Sequence, residues 1–372
     1  MQPSVSAILV VHNGAPLLRQ RIDQLLSLDY PRDRIEFIVV SDGSTDDTNR
    51  ILRGNPLVKS IICPNRRGKA EGLNVGMQNA TGEILLFLDI RPRLETTSLQ
   101  LLMSNFVDPK VGCVTGEVVL RDDGHDRVTK AVGGLYWRYE QWIRNCESKI
   151  DSPLGVYGGF YAVRRELACT LPQFTVLDDM LQPLNIIRQG FRSVVDVRVR
   201  VYDVWPKKMC GEFNRKVRTL AGNFQLLQLA PWLLSRENRL RFELISHKLL
   251  RLVVPPLLVV LLVTSAMLAG RSRFYGAALA VQLLLYILAA LGESRGLTFM
   301  APLAGAARAF CMMNATVIVG LCEFLFTEGP LWEIWIPTAP LSGATSEGNI
   351  EVAREDGGVR LTVEPIRSKQ DD

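Results

Sequence analysis

Asn65–Glu95 reads NRRGKAEGLNVGMQNATGEILLFLDIRPRLE. A loop carrying Gly68 and Lys69 runs into a helical stretch and then into a β-rich apolar run from Glu83 to Leu88. Asp89 stands where that run ends. A continuous apolar run bounded by turn residues describes a strand buried on both faces. Upstream the same grammar occurs, with the apolar strand Ile35–Val40 followed by SDGSTDDT at 41–48. Two acidic residues at the carboxyl ends of two buried strands of one α/β sheet point into one crevice, where open sheets of this kind bind their ligands. The pattern predicts an enzyme that holds a nucleotide.

Outward from that stretch, strand and helix alternate. Residues 6–11 form a first strand, and a helix at about 15–28 puts Leu17, Leu18, Ile22, Leu25 and Leu26 on one face. Ser44 and Asp47 have capping-box spacing and predict a helix through Leu52. Val58–Cys63 reads as a strand, Lys69–Ala80 as a helix, and Leu94–Phe106 as a helix. Strands Val111–Leu120 and Tyr157–Val163 flank an aromatic helix, AVGGLYWRYEQWIRNCES. A helix near Met180–Gln189 and a strand near Ser193–Tyr202 complete the domain. The expected fold class is α/β, a Rossmann-like, mostly parallel sheet flanked by helices.

The 372 residues are 48% apolar, and most of the excess lies between Leu252 and Phe326. Net charge is +5, yet Lys207–Arg251 alone holds ten Lys/Arg against three Asp/Glu. The positive charge is therefore local, and no nucleic-acid partner is expected. Seven scattered cysteines without a C-x-x-C pair suggest neither a disulfide framework nor a zinc site, and fit a reducing compartment. The N-terminus enters a strand at once, and no secretory signal is expected.

From Gly211 to Leu227, Phe213, Val217, Leu220, Phe224 and Leu227 line one helical face, with Asn214, Arg215 and Arg218 turned away. This predicts a basic amphipathic helix lying in a bilayer interface, with packing on the preceding domain as the competing reading. Leu252–Ala269 and Phe274–Leu291 carry no charge, and each is long enough to span about 27 Å. A third segment, Ala309–Phe326, is interrupted by Glu323. Pro255 and Pro256 are expected at the mouth of the first span. The five Lys/Arg from Arg236 to Arg251 put the N-terminal domain on the cytoplasmic side of an inner (plasma) membrane, with Arg271 and Arg273 arguing weakly the other way. The acidic tail alternates as IEVAREDGGVRLTVE, the pattern of a small hairpin or of nothing ordered. The divisions expected are 1–205 catalytic, 206–250 interface, 251–337 membrane with two to three helices, and 338–372 tail.

At SDGSTDD, GKAEGLN, ATGEILLFLD, GGFYAVRREL and LDDM, the chain resembles the family 2 glycosyltransferases in their membrane-bound, cellulose-synthase-like branch, from the N-terminus to about Trp335. The resemblance implies a GT-A fold, a nucleotide-diphosphate sugar donor such as a UDP-sugar, and inversion at the anomeric carbon. Asp42 would hold the uridine or ribose, a role weighed against capping the next helix. Asn13 would share its crevice, although turn chemistry explains an Asn-Gly pair equally well. Lys69 and Asn74 would face the donor phosphates.

In the family a D-x-D pair holds Mg²⁺ or Mn²⁺; this chain has Asp89-Ile90-Arg91. Either Asp89 binds the metal with waters and phosphates, or Arg91 itself neutralises the leaving group. Asp178 and Asp179 match the acidic pair whose second member is the general base, and a pair of helix-capping acids is the alternative. Arg218 matches the arginine of Q-x-x-R-W, where Arg215 replaces Gln and Thr219 replaces Trp, and it would grip the pyrophosphate. Binding of lipid headgroups is the alternative for this arginine. Gly158, Gly159 and Tyr161 resemble the acceptor-side loop. Trp137, Tyr139 and Trp142 could stack on sugar rings, with buried packing the expectation for each, and His12, His125 and His247 form no site.

The function expected is transfer of a sugar to a lipid-linked or polysaccharide acceptor at the membrane, with membrane lipids and export or polymerising subunits as partners. Two other readings stay open, a non-processive polyprenyl-phosphate transferase and a catalytically inactive donor-binding scaffold or sensor.

Overall fold

The computed structural model describes residues 2–121, 127–204, 209–291, 301–327, 329–331, 351–355 and 358–362. Met1–Pro337 form one compact unit, and Thr338–Asp372 form another. In the first, the strands run β1 (Val5–Val11), β2 (Ile35–Asp42), β3 (Lys59–Cys63), β4 (Ile84–Leu88), β5 (Arg93–Leu94), β6 (Val111–Arg121), β7 (Phe160–Arg164) and β8 (Arg192–Val204). They make one sheet ordered β3-β2-β1-β4-β7-β6-β8-β5. The β3-β2-β1-β4 part is parallel. β7 runs antiparallel to β4 and β6, β6 and β8 are parallel, and β5 closes the edge antiparallel to β8. The sheet is thus mixed, with its parallel half at the N-terminal side.

Helices α1 (Ala15–Leu26), α2 (Thr48–Arg53), α3 (Lys69–Gln78), α4 (Ser98–Ser104), α5 (Arg127–Ile150) and α6 (Asp178–Arg188) accompany the sheet. Both faces are covered, which is why β4 is buried at every position. The two-residue period sends Leu85 and Phe87 into one core with Ile8, Ile38, Val40, Leu73 and Leu184. Ile84, Leu86 and Leu88 enter the other, with Leu9, Val39, Leu18 and Ile22. Continuing the first parity beyond β4 aims Asp89 toward the side of α3 and α6. That alternation positions the site.

Several boundaries differ from the sequence reading for local reasons. Ser44 does not cap α2. Its hydroxyl oxygen instead accepts from Ser41 Oγ and Asn13 N, while Asp46 Oδ1 accepts from Thr48 N, so the helix starts at Thr48. The stretch read as a helix from Leu94 splits, because Arg93 and Leu94 pair with Tyr202 and Val201, and helix begins at Ser98.

Helix α7 (Met209–Leu229) packs as the competing reading of the sequence expected. Its apolar face is spent on protein: Val217 and Leu220 are buried, Phe224 stacks on Phe324 at 5.9 Å, and Gln225 bonds to Val176 N and Phe174 O. The partner is α11 (Ala301–Phe326), which brings Gly320 against Leu220 and Ala221. Beyond α7 come α8 (Arg241–Glu243), a π-helical stretch (Leu244–Leu249), α9 (Leu250–Leu268) and α10 (Arg273–Leu291). Pro255 and Pro256 lie inside α9 and not at its mouth. Three helical segments, Arg241–Leu268, Arg273–Ala290 and Leu303–Phe326, are long and apolar enough to cross a membrane, and most of their side chains face outward.

In the second unit, β9 (Glu351–Glu355) and β10 (Gly358–Thr362) pair antiparallel as a hairpin.

Candidate active site

Lys69, the first residue of α3, sits at the centre of the site. Its Nζ lies 3.1 Å from Asp89 Oδ1 and 3.2 Å from Asp178 Oδ2, and approaches Gly158 O at 3.5 Å. Asp89 leaves β4, and its N–H donates to Gly159 O at 3.1 Å. Asp178 and Asp179 occupy the first turn of α6, where the helix dipole favours carboxylates. Pro183 has no N–H to offer the carbonyl four residues back, and Asp179 O accepts from Val156 N at 2.9 Å instead. This bond holds the 155–158 loop against α6. A Cβ on Gly158 would stand 3.0 Å from Asp179 Oδ2, a contact tight enough that the carboxylate would have to shift to admit it.

The electrostatics separate the acids. Burial acts to raise the Asp89 carboxyl, but Lys69 and Arg91 outweigh it and hold Asp89 below the usual carboxylate range. Desolvation, with Asp178 beside it, pushes Asp179 up to about 6, against the opposing pull of Lys69 and Arg144. Burial lowers the Lys69 ammonium, yet Asp178 and Asp89 more than restore it and raise it above its ordinary value. Arg218 on α7 feels Asp179, Asp178 and Asp89, and burial nonetheless lowers its guanidinium below the usual value. The arrangement is a charged ammonium bridging the Asp89 and Asp178 side chains, with the Asp179 carboxyl, raised to about 6, beside them. It can neutralise a bound anion and take a proton in the same small volume.

Not every residue singled out in the sequence faces this volume. Asp42 is buried, and its two carboxylate oxygens accept from Arg67 N at 2.7 Å and Gly68 N at 2.8 Å, so it fastens the turn that launches Lys69. Asn13 ties the end of β1 to the 41–48 loop by accepting from Thr45 N. Asn74 does not face a donor. Its amide both donates to Leu171 O and accepts from Leu171 N, pinning a chain segment remote in sequence. Tyr161 is a fully buried core residue with its ring tilted against Phe87 at 4.8 Å; its hydroxyl has no hydrogen-bond partner among the described residues. Gly159 packs against Tyr157 and Pro92. Arg91 turns aside to Asp203 at 3.9 Å. Tyr139 and Trp142 are exposed rather than buried, while the side chain of Trp137, like His125, lies outside the described residues.

Three participants, Tyr157, Arg21 and Arg144, were missed in the sequence. Tyr157 donates to Asp203 Oδ2 at 2.6 Å, bracing the loop beside Arg91. Arg21, buried on α1 and lowered to about 10 by burial, donates to Pro92 O at 2.6 Å beneath the Asp89 loop. Arg144 on α5 adds positive potential at Asp179. No local pattern marks any of them, although an arginine on the apolar face of α1 is a visible oddity.

The residues present do not compose a divalent-metal cage. The Lys69 ammonium fills the point between Asp89 and Asp178, the residue two past Asp89 is Arg91, which cannot ligate a cation and turns to Asp203, and among the described residues no three His, Cys, Asp or Glu are placed to hold a metal ion.

The mixed sheet with its flanking helices is GT-A-like. The mannosyltransferase PcManGT from Pyrobaculum calidifontis, solved with GDP-Man and Mn2+, shares it with a TM-score of 0.62, covering 88% of this chain and 89% of that one at 24% identity. Residues 6–169 match the family model Glycosyl transferase family 2. The probable glycosyltransferase YdaM of Bacillus subtilis (strain 168) is 32% identical over 123 residues, 31% of this chain and 29% of its own length. The poly-beta-1,6-N-acetyl-D-glucosamine synthase of Staphylococcus aureus (strain COL) is 27% identical over 234 residues, 60% of this chain and 55% of its own length. The chain therefore spans less than two thirds of the length of these curated relatives.

Proposed function

We propose that the protein is an inverting, membrane-anchored glycosyltransferase that moves a sugar from a nucleotide-diphosphate donor, a UDP-sugar, to a hydroxyl of a lipid-linked or polysaccharide acceptor at the cytoplasmic face. The observation that carries this reading is the Asp179 carboxyl. It is pushed up to about 6, lies against Gly158, and adjoins the Lys69–Asp89–Asp178 cluster. Asp179 takes the proton of the acceptor hydroxyl as its oxygen attacks the anomeric carbon. The bond from that carbon to the diphosphate oxygen breaks, and the leaving diphosphate carries the electron pair. Lys69 and Arg218 meet the charge that develops there, which is the kind of preorganised stabilisation that dominates such reactions. Asp42 acts indirectly by holding the 67–68 turn. No step requires a metal ion, given the ammonium between Asp89 and Asp178.

The relatives named as synthases of a polysaccharide support a polymer acceptor, and the three apolar helices support a membrane setting. The test is consumption of a panel of nucleotide sugars by the full chain in lipid nanodiscs, with Asp179→Asn as control. Release of nucleoside diphosphate by the parent and not by the variant is the result expected. Donor binding without turnover in either would overturn the reading in favour of an inactive donor-binding subunit, the role suggested by Arg91.

A further inference from the structure

Outside the transfer site, a cavity of about 260 Å³ lies between α5 and the start of the first apolar helix. It is amphipathic. Arg144, Lys248 and Arg251 line it together with Glu140 and Glu147, and its far wall is Leu250 and Val254 of α9. Glu140 is engaged by Arg251 Nη2, which donates at 2.6 Å, and Glu147 by His247 Nδ1 at 2.7 Å. Both carboxylates thus have hydrogen-bond partners, and three cationic side chains, Arg144, Lys248 and Arg251, face the two acids, although burial lowers the Lys248 ammonium below its usual value. The π-helical stretch Leu244–Leu249 directs Ser246, His247 and Lys248, three consecutive residues, toward one cavity, a widening typical of functional sites. Tyr139 stands at the rim, exposed and stacked on exposed Trp142 at 6.3 Å, as aromatic side chains do at a membrane interface. Beyond the cavity, Val253, Leu257, Val260 and Leu261 of α9 are exposed apolar surface.

We propose that this cavity binds the phosphate headgroup of a membrane lipid, with Lys248 and Arg144 on the phosphate and Leu250 and Val254 against the first acyl or prenyl carbons. Cations at one end and a membrane helix at the other suit a lipid phosphate better than a soluble one, which would leave the apolar wall wet. A zwitterionic headgroup would bring its own cation into a basic cavity. The opposite wall is Leu154 and Gly155, at the start of the loop that Asp179 O holds through Val156 N. The bound phosphate therefore lies one loop away from the base. The proposal needs the membrane setting of α9 but not the transfer chemistry, so it is read by binding alone.

The experiment is native mass spectrometry of the detergent-solubilised full chain titrated with dioleoyl phosphatidate, dioleoyl phosphatidylcholine or inorganic phosphate. The parent and Lys248→Arg should retain phosphatidate, and Lys248→Gln should retain it on the order of tenfold more weakly at an unchanged melting temperature. Val254→Phe, which narrows the apolar end without touching a charge, should weaken phosphatidate and keeps the test alive if Lys248→Gln does not fold. Equal retention of phosphatidate by the parent and by the folded variants overturns the proposal. Equal retention of phosphatidylcholine does so too. Displacement of phosphatidate by equimolar inorganic phosphate would assign the cavity to a soluble anion and overturn the lipid reading.

Discussion

Asn in place of Asp179 should silence transfer and at the same time stabilise the fold, but only at neutral pH. The carboxyl is displaced from 3.8 to about 6 by desolvation and by Asp178. Between those values the folded chain keeps a proton that the unfolded chain has lost, so stability falls as pH rises from about 4 and levels off above about 6. A displacement of roughly two units corresponds to about 3 kcal/mol at full ionisation. Asp179 is partly solvated, which reduces the figure to about 1–2 kcal/mol. Asn carries no charge, so the variant escapes this cost near pH 7.5 and gains nothing near pH 4. Thermal melts of the detergent-solubilised full chain across that range should separate parent and variant by about 1–3 °C at the upper end and merge them at the lower. Donor consumption should fall by about 10²–10⁴, the usual contribution of a general base. A variant less stable than its parent at pH 7.5, or a difference independent of pH, would refute the account of this carboxyl.

The remaining expectations use the same geometry. The parent's kcat/KM should show an acid limb with an apparent value near 6, since Asp179 must be ionised to accept a proton, and a flat acid limb down to about pH 4.5 would contradict this. Gly158→Ala places a methyl group 3.0 Å from Asp179 Oδ2, so kcat should drop by about tenfold or more while circular dichroism stays native. Arg91→Asp restores a second acidic ligand and should make turnover more dependent on Mn²⁺; unchanged activity in chelator would count against Arg91 as the cation in that place. Asn74→Ala orphans the N–H and carbonyl of Leu171, and denaturant unfolding should register a loss of about 2–3 kcal/mol with donor affinity unchanged.

Much of this protein was legible along the chain. The alternation of apolar runs with helical spacing announces an α/β sheet, and Asp89 follows β4 because apolar residues stop there and an acid begins. Periodicity also marked the apolar helices, for their composition alone meets the length a bilayer requires. The pair Asp178-Asp179 at a helix start was visible in the same way. Such features are local, set by backbone period and by which residues tolerate burial.

What only the tertiary structure decided was the partner of each side chain. Lys69 reads in sequence as a phosphate ligand, yet it bridges carboxylates from β4 and α6. Asp42 and Asn74 read as ligand groups, yet both hold backbone amides of other loops. The apolar face of α7 suits lipid and a packed helix equally, and α11, distant in the chain, took it. A sequence gives each residue its chemistry and its face, but a hydrogen bond or ion pair depends on distances of a few ångströms between segments that only the folded chain brings together.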